Sequence, residues 1–81
     1  MELTKIIKYY KPLGNKQTIN ELGMYHSMTD DNEKTKIKNL VDKYSTNNDI
    51  LKQLGVPKNQ ITHPNYKRKL WLVAYHMVDK K

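Results

Sequence analysis

Residues 64–78 have the sequence PNYKRKLWLVAYHMV, and this stretch predicts the helix on which the rest of the chain packs. Pro64 suits the first turn of a helix, where its missing N–H would have no partner in any case. On a helix, the apolar residues of the stretch cover more than half of the circumference, which is typical of a helix at the centre of a core. We expect solvent along the remaining strip, which holds Arg68, Lys69, Leu72 and His76.

The first half of the chain predicts shorter helices, because its apolar residues recur at spacings of three and four. One such helix covers residues 3–10 and ends before Pro12. A second begins at Thr18, which can form a capping box with Glu21, each side chain accepting a hydrogen bond from the other's backbone amide.

Two further helices are predicted from their end signals. Thr29, Asp30 and Asp31 offer capping oxygens and negative charge to a helix that carries apolar residues as far as Tyr44. A short helix at residues 49–54 ends at Gly55, which favours the left-handed conformation found after helix ends. Since no run of alternating β-branched residues is present, we predict an all-α fold, a compact bundle of four or five short helices forming one domain over residues 1–81.

Composition narrows the functional classes. The chain has 81 residues and no cysteine, which excludes disulfides, thiol catalysis and cysteine-ligated zinc. His26, His63 and His76 are widely separated, and glycine-rich phosphate loops are absent, so we expect no enzyme, no metal site and no cofactor. The apolar runs are too short for a signal peptide or a membrane span, which leads us to expect a soluble, cytoplasmic protein without a membrane partner.

The charge is unevenly distributed along the chain. Residues 1–20, 21–50 and 51–81 carry +3, −2 and +6, giving a net charge of +7. Such a field attracts polyanions, so nucleic acid is the first expected partner. Because Arg68 is the only arginine, the cations favour contacts with the phosphate backbone over reading of the bases.

One segment, Asn48–Lys67, resembles the helix-turn-helix motif of transcriptional regulators. The resemblance rests on Ile50, Leu54, Val56 and Ile61, whose spacing would pack two short helices around a turn at Gly55. It implies that residues 57–62 begin a recognition helix. The side chains that would then face a DNA groove, with His63 beside them, are Lys58, Asn59, Gln60 and Thr62. The alternative interpretation of the same residues is a capped helix followed by an ordinary loop, without a DNA-binding role.

The run Lys67-Arg68-Lys69 is the second candidate binding element. No acidic residue lies between Lys52 and Val78, so these cations lack local ion-pair partners and would contact phosphates. The alternative is a solvated surface with no partner. Most tyrosines fall on apolar helical faces and are expected in the core, whereas Tyr9 points away from them and is a candidate contact residue.

Two functional hypotheses follow from these patterns. The first is a small nucleic-acid-binding regulator, with duplex DNA favoured, which forms a homodimer if its site is palindromic. The second is a protein of the phage or mobile-element type that binds an acidic host protein through its charge, Tyr9 and an exposed Leu72. A third hypothesis is an antitoxin-like or structural subunit.

Overall fold

The fold is all-α, as predicted. A computed structural model describes residues 3–60 and 62–78, apart from the side chain of Lys58. Within them the five α-helices are α1 (Leu3–Tyr10), α2 (Asn15–Ser27), α3 (Asp31–Ser45), α4 (Asn48–Leu54) and α5 (Pro64–Met77), with a 3-10 turn at Lys58–Gln60. Strands are absent from this part of the chain. In the same part, every helix falls short of the length and apolarity that crossing a membrane requires.

Helix α5 is the centre of the bundle, as its sequence predicted. It contacts α1, α2 and α3, while α4 closes the core against α1 and α3. Three neighbouring helices leave little of the α5 surface exposed, and the predicted solvent-facing strip is therefore wrong: Arg68 and His76 are half-buried, and its other two residues are buried. Leu72 is fully buried, and only 5% of the surface of Lys69 is exposed to solvent.

The ends of the later helices follow from local capping. Asp30 caps α3 by accepting a 2.8 Å hydrogen bond from the backbone N–H of Glu33, and Asn47 caps α4 through the backbone amides of residues 49 and 50. Helix α4 ends at Gly55, whose φ of 80° lies in the left-handed region that glycine adopts without strain. The sequence pattern located the Asp30 cap and the end at Gly55, because both act on backbone groups within one turn, whereas the Asn47 cap was not predicted.

The start of α2 differs from the prediction. The helix begins at Asn15 with Gly14 as its N-cap, so Thr18 lies inside the first turns and is completely buried. The Thr18 hydroxyl donates to the carbonyl oxygen of Gly14 at 2.9 Å and does not cap the helix. The Glu21 carboxylate, its expected partner, instead accepts hydrogen bonds from Tyr9 and Tyr10 of α1. A contact between two helices thus replaces the predicted capping box.

Candidate nucleic-acid interface

The residues predicted to contact DNA lie between α4 and α5 and in the first turns of α5. Asn59, Gln60, Thr62 and His63 are exposed, whereas the side chain of Lys58 and the whole of Ile61 fall outside the described residues. Residues 58–60 form a single 3-10 turn, and the next α-helix begins only at Pro64. The surface here is therefore a turn followed by a helix start, where the resemblance implied the first residues of a recognition helix.

His63 has a local structural role in this segment. Its Nδ1 accepts a 3.3 Å hydrogen bond from the backbone N–H of Asn65, and its ring lies 5.9 Å from that of Tyr66 in an edge-to-face arrangement. The imidazole therefore satisfies one of the free amides at the start of α5. The residue is exposed and can contact a ligand. Because Nδ1 is used by the cap, that contact would involve the other atoms of the ring.

The three cations of the predicted basic run have different surroundings. Lys67 is exposed, Arg68 is half-buried, and the ammonium of Lys69 donates a 2.9 Å hydrogen bond to the carbonyl oxygen of Lys11. Burial disfavours the charged form and lowers the pKa of Lys69. Lys69 therefore supports the end of α1 and is not available to a phosphate, which corrects its assignment to the binding surface.

This hydrogen bond brings Lys11 to the beginning of α5, a proximity that the sequence did not reveal. Lys11 is exposed, and its aliphatic stem passes over Gly55: a Cβ added to the glycine would lie 3.4 Å from Lys11 Cε. Residues 11 and 69 are 58 positions apart, so no local pattern could pair them. Lys11 joins Lys67 and Arg68 as the candidate phosphate-binding cations of this region.

Other exposed lysines are distributed over α1, α2, α3 and α4: Lys5, Lys8, Lys16, Lys36, Lys38, Lys43 and Lys52. Among the described side chains, no lysine or arginine nitrogen lies within 4.0 Å of a carboxylate oxygen. The acidic residues of α3 therefore do not fold back to neutralise the basic groups near α5. Lys80 and Lys81, which contribute to the charge of the last third, lie outside the described residues.

A second feature that the sequence pattern missed is a cleft beside α1. It has a volume of about 360 Å³ and is lined by residues of α1, α2 and α5, chiefly Tyr9, Tyr10, Glu21, Tyr25 and His76. His76 was expected to face solvent, but its Nε2 lies 2.7 Å from the hydroxyl of Tyr10. The exposure of Tyr9, at 58%, agrees with its prediction as a surface tyrosine.

Comparison of the chain with protein-family models, with curated proteins and with solved structures finds no match.

Proposed function

We propose that this protein binds nucleic acid, with duplex DNA the favoured form, and acts as a small regulator in the cytoplasm. The observation that carries the proposal is the net charge of +7 combined with the lack of carboxylate oxygens within 4.0 Å of the described lysine and arginine side chains. Unpaired surface cations release the counterions of a nucleic acid when they bind its phosphates, and this release drives association. The proposed activity is binding, without catalysis.

The proposed contact region is the start of α5 together with the end of α1. Lys11, Lys67 and Arg68 supply the phosphate contacts, and the segment before α5 supplies exposed polar groups, namely Asn59, Gln60, Thr62 and His63. In the helix-turn-helix interpretation, α4 supports the turn at Gly55 and residues 57–63 approach the groove. With one arginine and a 3-10 turn in this position, we expect contacts with the backbone to contribute more than reading of the bases.

A fluorescence-anisotropy titration tests this proposal. Duplex DNA, single-stranded DNA and RNA are titrated at two salt concentrations, with the double variant Lys67→Gln, Arg68→Gln compared with the native chain. Losing two phosphate contacts lowers the slope of log affinity against log salt by roughly 2. The matched control is Lys36→Gln, Lys43→Gln, which removes the same charge from α3, a helix that also carries acidic residues.

Three outcomes distinguish the possibilities. Preferential binding to duplex DNA, with a larger loss in the α5 variant than in the α3 variant, supports the proposed region. Equal losses in both variants show that only the overall charge matters and contradict it. Undetectable binding to every nucleic acid at low salt removes the proposed function.

A second candidate function, binding to an acidic host protein, is supported by apolar side chains on the surface. The sequence analysis expected Leu72 to be an exposed contact residue for such a partner, but Leu72 is buried. The exposed large hydrophobic residues that the structure does describe are Tyr9, Ile19, Met24 and Met28, and the last three belong to α2 or its C-cap. Capture of a partner that survives nuclease treatment, and is lost in Met24→Ser, Met28→Ser, would favour this candidate; capture that nuclease abolishes would contradict it.

A further inference from the structure

The cleft beside α1 combines a carboxylate with several aromatic rings. Glu21 lines it, and its Oε1 accepts a 3.2 Å hydrogen bond from the Tyr10 hydroxyl while its Oε2 lies 3.4 Å from the Tyr9 hydroxyl. An ionised carboxylate can accept about four hydrogen bonds, so these two leave acceptor capacity open to the cleft. No described lysine or arginine is ion-paired with Glu21.

Aromatic rings line the cleft and pack against one another. Tyr9 and Tyr10 pack edge to face with ring centres 4.9 Å apart, and Tyr25 meets His76 in the same manner at 5.4 Å. Tyr10 is almost completely buried, whereas Tyr9 is largely exposed. Of these two lining tyrosines, Tyr10 is thus fixed by burial, and Tyr9 is one that solvent and ligands can reach.

The negative charge of Glu21 acts on the two neighbouring tyrosines of the cleft. The charge of Glu21 is the main cause of a raised pKa at Tyr9, and it adds to the effect of burial that raises the pKa of Tyr10. The volume of about 360 Å³ lies within the range of small-molecule sites. Aromatic faces around a carboxylate are the chemistry by which proteins recognise organic ammonium groups, through cation–π and ionic attraction together.

We propose that this cleft between α1, α2 and α5 is a binding site for an alkylammonium group, seated against Tyr9 and Tyr25 with its charge towards Glu21. The ammonium belongs either to a small amine or to a lysine side chain of a partner. Lys5 also lines the cleft, and its own charge opposes the ligand. The proposal does not depend on nucleic-acid binding, since it uses different residues and the opposite ligand charge.

An NMR titration with choline tests the site, and the uncharged tert-butyl isostere of choline serves as the matched ligand. Choline is expected to shift the resonances of residues lining the cleft and to bind roughly tenfold more tightly than the isostere, because only the cation interacts with the rings and the carboxylate electrostatically. Equal binding of the two ligands, or no shift with either choline or a capped lysine peptide, would overturn the proposal.

Variants distinguish the cleft from a general effect of charge. Glu21→Gln keeps the shape and is expected to weaken choline binding roughly tenfold, and Tyr9→Leu, at an exposed position, tests the aromatic wall without disturbing the core. Lys5→Gln should strengthen binding, whereas Lys8→Gln, the same change outside the cleft lining, should have a smaller effect. Binding that is unchanged in both Glu21→Gln and Tyr9→Leu contradicts the assignment.

Tighter binding of the lysine peptide than of choline identifies a partner's lysine as the source of the ammonium, and the reverse order identifies a small amine.

Discussion

Replacing Lys69 by alanine is expected to destabilise the protein while leaving its affinity for nucleic acid unchanged, and Lys67→Ala is expected to do the reverse. The two lysines are two positions apart in α5, carry the same charge and differ in their surroundings. Lys67 is exposed, whereas Lys69 is buried with its ammonium bound to the carbonyl oxygen of Lys11. The pair therefore separates structural from binding effects within one turn of helix.

The magnitude for Lys69→Ala follows from what the side chain loses. Three buried methylenes contribute about 0.8 kcal/mol each, and a hydrogen bond from a charged donor contributes about 1.5–3 kcal/mol. Releasing a long side chain from one conformation returns about 2 kcal/mol of conformational entropy. The net loss is about 2–3 kcal/mol, a large part of the roughly 4–12 kcal/mol expected for a domain of this size. Lys67→Ala, at an exposed position, should change the free energy of unfolding by less than about 0.5 kcal/mol.

Urea denaturation followed by circular dichroism measures both variants, with anisotropy titrations on the same preparations. Lys69→Met is the control: it keeps most of the buried stem and removes the hydrogen bond to Lys11, so its loss of stability reports the hydrogen bond without the loss of buried methylenes. If Lys69→Ala is as stable as the native chain and weakens nucleic-acid binding as much as Lys67→Ala, then Lys69 faces solvent and the reasoning is refuted.

Three further changes test other parts of the structure. Gly55→Ala places a Cβ at a φ of 80° and should lower the free energy of unfolding by about 1–2 kcal/mol, visible as a lower Tm; an unchanged Tm would mean that the left-handed turn is absent. Asp30→Ala removes the N-cap of α3 and should cost about 1 kcal/mol in urea denaturation, with Asp30→Asn close to the native value. Burial, followed by the charge of Glu21, raises the pKa of Tyr10 above the 10.0 of a free tyrosine, so the unfolded chain loses this proton first. The resulting stability is complete below about pH 10 and decreases as the pH rises further; Tyr10→Phe should show a shallower decrease in urea titrations at stepped pH, and an equal slope would argue against a buried phenol.

The sequence predicted those features that depend on residues close together along the chain. Helices α3, α4 and α5 begin and end near the expected positions, because Asp30, Gly55 and Pro64 act on backbone groups within one turn. The central position of α5 could also be predicted, since a helix that is apolar around most of its circumference must be surrounded. The burial of Tyr10 and Tyr44 follows from the same periodicity.

Only the tertiary structure decided how many neighbours each helix face would have. Lys69 and Leu72 lie on the most polar strip of α5, yet they are buried because α1, α2 and α3 surround the helix. Glu21 occupies a capping position in the sequence, but its carboxylate binds two tyrosines of α1. The cleft joins α1 and α2 to His76, and the contact between Lys11 and Lys69 spans most of the chain. Backbone caps and helical periodicity are local interactions that a sequence states directly, whereas burial and charge pairing depend on which distant segments the packed core brings together.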